Sequence, residues 1–377
     1  MQPSELEQRL DESVAAGQGT VYTAAVCLVA CGGQTLFHRA YGWLDPETGT
    51  RPTQLDSLFD LASVTKVFTT TLFMRLVEAG QVGLDQPVSE VVPEFSGVRP
   101  ITAFEQPLTG ALDRYDYPDP TVDAGRVTFR RLLTHTSGLP AWAALYRLPS
   151  REAAIQAVLH STFAYPTGAR LVYSDLGLIL LTQAIERLTG ESLDQALRRL
   201  VVAPLDLRHT LYNPPAALHD RIAPTEVCRW RGRRLVGEVH DENAGRLGGV
   251  SGHAGLFSTA ADVARLGQLY LNGGELDGVR LLSPETVAEM TRVQVDFDGD
   301  RRGLGWMRQG TGEWRRPGLS NAAFGHTGFT GTSLWVDPST QEVIVLLTNR
   351  VYFGRDAGGI LALRQNVYRA AEALVRS

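Results

Sequence analysis

Apolar residues recur at helical spacing at Val67, Phe68, Leu72, Phe73, Leu76 and Val77, then stop at Gly80, a residue suited to a helix C-cap. The pattern predicts a helix whose first turn holds Ser63, with Lys66 one turn later on the same face. Residues 1–10 read as an amphipathic helix. Residues 22–29 and 34–41 are β-rich segments around Gly32-Gly33, a strong hairpin signal. Residues 51–61 read as a connecting loop. Helical patterns return over 151–159, 176–188, 193–201 and 260–271, with Gly190 and Gly273-Gly274 as stops. The β signal comes back late, over 324–328, 332–337 and 342–348, the last two joined by Pro338-Ser339-Thr340-Gln341. A helix over 361–375 closes the chain.

Strands at both ends with helices between them predict an α+β (mixed α/β) fold. Its antiparallel sheet is built from both chain ends, flanked by helices, with an all-helical domain inserted. The division expected is 1–84 with 290–377 for the sheet domain and 85–289 for the helical one. A ligand site belongs in the cleft between them. The Pro- and Gly-rich excursion over 97–127 is too long for a plain connection and predicts a lid or a rim of that cleft.

Composition narrows the partners. The 377 residues are 44% hydrophobic and 20% charged, with a formal net charge of -5. No basic footprint for nucleic acid is present, and no apolar run reaches the length of a membrane span. The polar, acidic start lacks a signal peptide's order of charged then apolar residues. Cys27 and Cys31 would lie about 13 Å apart in one strand, too far for a disulfide. Cys228 has no evident partner. A cytoplasmic location is therefore expected, and the oligomeric state stays open.

Three stretches carry candidate chemistry. In Ser63-Val64-Thr65-Lys66 a hydroxyl sits at a helix start beside backbone N–H groups, and an amine one turn away can take its proton. Taken alone, S-x-x-K is a weak pattern, equally met by a capping serine and a solvated lysine. Tyr173-Ser174-Asp175 precedes an apolar helix, and its tyrosine can carry a proton if a lysine ammonium lowers its pKa. Gly325-His326-Thr327-Gly328 lies on a late strand whose glycines admit a substrate backbone and whose His and Thr offer hydrogen bonds.

Together these resemble the S-x-x-K and K-T-G set of penicillin-binding proteins and β-lactamases. The order and separations are similar to those of the group of class C β-lactamases, D-alanyl-D-alanine carboxypeptidases and family VIII esterases. Residues 132–139, 173–180, 252–259 and 303–306 extend the likeness, which covers about residues 22–350. The resemblance implies a cofactor-free, metal-free serine hydrolase with Ser63 as nucleophile, and with Lys66 and Tyr173 as proton-transfer groups. His326, Thr327 and Gly328 would flank the substrate. The backbone N–H groups of Ser63 and Phe329 would form the oxyanion hole. Which of Lys66 and Tyr173 takes the first proton stays open, and they would titrate as a coupled pair. The substrate expected is a small ester or amide: a D-amino-acid peptide, an ester or a β-lactam.

Two departures bear on that substrate. The middle motif of the group usually reads Tyr-x-Asn, whereas Asp175 cannot donate to a substrate carbonyl while ionised. Beside Lys66 it would also keep the lysine protonated and shift the base role toward Tyr173. Histidine stands at 326 where class C β-lactamases carry lysine, so a substrate carboxylate is held less strongly and efficient β-lactam turnover is disfavoured. Asp296, Asp298 and Asp300 imitate the start of a calcium loop, but Arg301 and Met307 break it, leaving a solvated acidic turn. His240-Asp241-Glu242 with His253 matches no zinc spacing and reads as a loop packed near the cleft. His135 reads as a turn-stabilising residue. No G-x-S-x-G elbow is present. The alternative to an enzyme is a binding protein that senses cell-wall fragments in the same cleft. Transpeptidation is a third reading, which would need an amine acceptor.

Overall fold

Gly32 and Gly33 take left-handed φ values of 56° and 80°. A two-residue turn between right-twisted strands demands this conformation. They join β1 (Ala24–Cys31) to β2 (Gln34–Gly42) in a computed structural model that describes residues 3–106, 109–355 and 358–377. The other strands of this sheet come from the far end of the chain: β3 (Val295–Phe297), β4 (Asp300–Arg302), β5 (Met307–Arg308), β6 (Phe324–Thr327), β7 (Ser333–Asp337) and β8 (Glu342–Thr348). Their order is β3-β4-β5-β6-β7-β8-β1-β2, antiparallel throughout. The two chain ends meet at β8 and β1, with Leu28 opposite Val345. The mixed α/β architecture with one large antiparallel sheet agrees with the expectation.

Strand alternation divides the sheet between two cores. Val26, Leu28, Leu334, Val343 and Val345 face a core shared with the helical region. Cys27, Val29, Trp335, Ile344 and Leu346 face the other side. That second layer is closed by α1 (Pro3–Ala15) and the C-terminal α5 (Ile360–Val375), which pack on each other. Between them in sequence come α2 (Thr65–Glu78), α3 (Asp175–Thr189) and α4 (Ala260–Leu271). Helix α4 falls inside the 85–289 stretch yet packs on β7, β8 and β1. Helix α2 is buried nearly all round rather than on one face. Two of its threonines are satisfied inside the core: Thr69 donates to the Thr65 carbonyl at 3.3 Å, and Thr71 donates to the Val67 carbonyl at 2.7 Å and meets the Tyr270 hydroxyl at 2.8 Å. Helix α3 begins at an N-cap, where Ser174 accepts from the Gly177 N–H, and ends at Gly190 with φ 70°.

One expectation needs correction. Residues 193–201 are not one helix, since Leu193–Leu197 is α-helical and Arg198–Val202 opens into a wider π turn. The acidic stretch 296–300 is the solvated turn expected: it closes a hairpin, with Asp296 and Asp298 exposed. Asp298 and Gly299 take φ 50° and 89°, and Asp296 accepts from the Gly299 N–H. Among the described residues no helix is long and apolar enough to cross a membrane.

Where β7 turns into β8, Asp337 pairs with Glu342. The Asp337 carboxylate is filled by donors from the Ser320 N–H, the Ser320 hydroxyl and the Ser339 N–H. Burial, with that neighbour's charge added, pushes the Glu342 carboxyl up to about 8. Folding therefore takes up a proton between about pH 4.5 and 8, and stability is lost as pH rises through that window. Glu342→Gln is expected to stabilise the protein at pH 9 by on the order of 2 kcal/mol. The gain should vanish below pH 5, as urea unfolding at the two pH values would read.

Candidate active site

Ser63 sits on a single 3-10 turn, Ala62–Val64, that runs straight into α2. Ala62 before it is in the left-handed region at φ 45°, a conformation costly for a residue with a Cβ. Buried Asp60 holds it there by accepting from the Ala62 N–H at 2.8 Å, while its other oxygen accepts from the His240 N–H at 2.6 Å. From the sheet side, Thr330 donates to the Asp60 carbonyl at 2.7 Å and Thr332 to the Leu61 carbonyl at 2.8 Å. The loop after β6 is thus fastened to the turn that carries Ser63. Gly328 makes this contact close: a Cβ there would lie 2.1 Å from Thr332 Oγ1 and 2.4 Å from the Leu61 carbonyl oxygen. Buried Arg364 on α5 reaches the same loop, donating to the carbonyls of Gly328 and Thr332 at 2.9 and 2.8 Å.

Lys66 is fully buried. Its Nζ donates to Ser63 Oγ at 2.8 Å and to the His253 carbonyl at 3.0 Å, and pairs with Asp175 Oδ1 at 2.7 Å. Burial alone would pull its pKa down, but Asp175 and Tyr173 outweigh burial and the ammonium is stabilised. Lys66 is also the only lysine in a chain that carries 36 lysines and arginines.

Tyr173 completes the cluster. Lys66 Nζ lies 4.8 Å from its ring centroid, and its buried hydroxyl faces Lys66 and Ser63 without a well-aligned hydrogen-bond partner. Burial pushes its pKa up, Lys66 draws it down, and the balance is a raised value. His135 backs the tyrosine at 4.6 Å between ring centroids. It has φ 57°, its Nδ1 accepts from the Ser174 N–H, and its carbonyl accepts from the Val172 N–H. It therefore grips the backbone on both sides of Tyr173, which is the turn-stabilising part expected of it.

His326, Thr327, Gly328 and Phe329 lie across the cleft. His326 Nδ1 meets the Thr327 carbonyl at 2.9 Å, so that nitrogen carries the hydrogen. Burial, then the charges of Lys66 and Arg302, keep the ring neutral. Its centroid is 6.0 Å from that of Tyr173. Thr327 remains partly exposed. The Phe329 ring lies between His240, at 5.7 Å, and the Arg350 guanidinium, at 4.5 Å. All eight residues singled out from the sequence thus gather around one cleft.

A cavity of about 480 Å³ opens beside Tyr173, walled by Tyr115, Arg170, Phe297, Arg302 and Trp314. Tyr115 comes from the 97–127 excursion, of which residues 107 and 108 lie outside the described residues. Arg170 stacks over the Tyr115 ring at 4.2 Å and donates to the Tyr117 hydroxyl at 2.9 Å. The excursion is a wall of the site. Sequence reading did not find Arg364, Thr330, Thr332 or the His253 carbonyl. Of these, only the His253 carbonyl lies in a stretch, 252–259, that extends the family likeness. Among the described residues no group of His, Cys, Asp and Glu is arranged to hold a metal ion.

The Beta-lactamase family's sequence model matches residues 6–368. The chain is 34% identical over 379 aligned residues to the N-acetylmuramyl-L-alanine amidase of Bacillus subtilis (strain 168), covering 92% of this chain and 80% of that one. It is 30% identical to a protein of Escherichia coli (strain K12) provisionally named a D-alanyl-D-alanine carboxypeptidase, covering 87% and 79%. A solved penicillin-binding protein homologue from Caulobacter crescentus superposes with a TM-score of 0.75 at 21% identity, over 98% of both chains.

Proposed function

We propose, from the premise that the chain belongs to the Beta-lactamase family and so to a family of hydrolases, that it cleaves a small amide or ester through an acyl-Ser63 intermediate. One observation carries the reading: the only lysine in the chain places its Nζ 2.8 Å from Ser63 Oγ inside a buried pair with Asp175. Relatives named as an amidase and a carboxypeptidase favour an amide of the cell-wall type.

In this reading the coupled Lys66–Tyr173 pair first gives up one proton to solvent, and as Ser63 Oγ attacks the carbonyl carbon its proton passes to the pair in that deprotonated form. The same pair returns the proton to the departing amine or alcohol. Water then attacks the acyl-Ser63 ester, giving a carboxylic acid and free Ser63. The N–H groups of Ser63 and Phe329 receive the oxyanion, and the loop pinned by Thr330 and Thr332 supports that role by holding the two segments together. Neutral His326 offers no charge to a substrate carboxylate, which favours ester or amide turnover over efficient β-lactam turnover.

The test is intact-protein mass spectrometry with a p-nitrophenyl ester and, separately, a penicillin, using Ser63→Ala as control. Ser63-dependent ester turnover is expected, with any penicilloyl adduct forming slowly. If neither reagent labels or turns over through Ser63, the binding-protein reading replaces this one. Asp175 supplies a second check. In Asp175→Asn the charge that holds the Lys66 proton is gone, and the Tyr173 pKa falls for the same reason. The rising limb of the pH–rate profile should move to lower pH by about one unit or more, whichever group is the base.

A further inference from the structure

The stretch from His240 to His253 packs behind the turn that carries Ser63 and contains a largely buried hydrogen-bonded string. His253 is 1% exposed. Its Nε2 meets Asp241 Oδ1 at 3.0 Å and its Nδ1 meets Ser251 Oγ at 2.7 Å. The three residue types are those of a nucleophilic triad, but Ser251 is itself 1% exposed, so no substrate can reach it. The string ends elsewhere. The His253 carbonyl accepts from Lys66 Nζ, one of the two well-aligned hydrogen bonds the ammonium makes.

We propose that the Asp241–His253–Ser251 string is a positioning device for Lys66: it fixes the His253 carbonyl, and with it the direction in which Nζ addresses Ser63. This rests on the acyl-Ser63 reading above.

The surroundings leave that carbonyl little freedom. Gly252 is wedged between α2 and α3, where a Cβ would lie 2.7 Å from Thr182 Oγ1 and 2.9 Å from Thr69 Cγ2. The Gly252 N–H donates to Thr182 Oγ1 at 2.8 Å, and the Tyr212 hydroxyl donates to the Ser251 carbonyl at 2.9 Å. Three residues after His253, the Leu256 N–H donates to Thr65 Oγ1, and the Leu256 carbonyl accepts from the Leu61 N–H. The backbone on either side of His253 is thus tied to the helices and the turn that carry the reacting groups, and the ring is tied at both nitrogens. An amine that rotates about Cε–Nζ presents its lone pair in any direction. A fixed acceptor for one N–H removes that freedom, and with Asp175 on another the remaining direction points at Ser63 Oγ. In the charged form the same acceptor supports the ammonium.

Because Lys66 is the only lysine, a protein grown on isotope-labelled lysine shows one side-chain amine signal, whose titration reads this site directly. The charged and titratable groups facing Lys66 are Asp175 and Tyr173, with His135 and His326 beyond them and Arg302 behind those. All of them are left in place by the variants Ser251→Ala, Asp241→Ala and Asp241→Asn. Ser251→Ala and Asp241→Ala are expected to move the Lys66 signal and lower its titration midpoint. Both should slow acylation of Ser63 by a p-nitrophenyl ester roughly 10- to 100-fold with KM little changed. Asp241→Asn keeps an oxygen on His253 Nε2 and on the Ala244 N–H that Asp241 also caps, so it should retain most of the rate.

Thermal unfolding establishes that each variant is folded, and if Asp241→Ala is not, Ser251→Ala decides alone. An unmoved Lys66 titration in the folded variants overturns the proposal. So does an Asp241→Asn protein as impaired as Asp241→Ala, since charge rather than position would then be at work. A wild-type protein without Ser63-dependent acylation removes the acyl-enzyme reading, while the Lys66 signal still decides whether the string positions the amine.

Discussion

Lys66→Arg should abolish acylation of Ser63, by about a thousandfold or more in the rate of acyl-enzyme formation, with the protein still folded. A guanidinium can keep the pair with Asp175 and still donate to Ser63 Oγ, so the electrostatics of the resting site survive. What it cannot do is give up its proton at any pH the protein tolerates. The substitution therefore separates charge from proton transfer. Single-turnover kinetics with a p-nitrophenyl ester would read the acylation step, and a melting curve would show that the larger side chain is accommodated in the core. An arginine variant within tenfold of the wild type would mean that Lys66 is only a counter-ion, leaving Tyr173 as the base. Ser63→Ala is the companion, and it should lose the covalent adduct outright.

The second large effect is expected from Gly328→Ala, with a loss of turnover of roughly a hundredfold. The backbone at Gly328 does not need a left-handed φ, so the argument is about space alone. An added Cβ would fall 2.1 Å from Thr332 Oγ1 and 2.4 Å from the Leu61 carbonyl oxygen, and backbone cannot fold away as the end of a long side chain can. The loop must move off the turn that carries Ser63, taking the Phe329 N–H with it. An oxyanion donor displaced by an ångström loses most of its value, since the benefit depends on its being aimed before the reaction. Reaction of Ser63 with a small fluorophosphonate, which is less exacting than an amide, should fall less than amide turnover does. Gly83→Ala is the control, because a Cβ there meets its neighbours no closer than 3.6 Å. Equal behaviour of the two variants would show that loop 328–332 does not set the oxyanion site.

Much of the cleft was legible because the chemistry is written in short spacings. Ser63 and Lys66 lie one helical turn apart, and that separation alone brings Nζ to Oγ once the helix forms. The hairpin at Gly32-Gly33 and the capped helix after Ser174 were legible for the same local reason. Asp175 was legible as a departure, and the structure places it on Lys66 as the sequence suggested. Strands β3, β4 and β5 were not, because they are two or three residues long and one reads Asp-Arg-Arg, with no alternation to detect. Their pairing is decided by neighbours in space. Arg364 and the His253 carbonyl were illegible for a different reason. One is an arginine on the buried face of an amphipathic helix, and the other is a backbone atom 187 positions from its partner. No side-chain pattern announces a carbonyl.

The placement of Lys66 in the middle of the core gives the native protein an unusual relation to proteases. A lysine-specific endoproteinase has one bond to cut in the whole chain, after residue 66, and that bond lies in the first turn of a helix with no exposed face there. Local fraying at the surface cannot present it. The chain should therefore resist such an enzyme until the core opens, and then fall into two pieces, 1–66 and 67–377, in one step. Where cleavage outpaces reclosing, the rate of that step is the unfolding rate itself. After denaturation the same cut leaves Ser63, with anything still attached to it, near the end of the shorter piece.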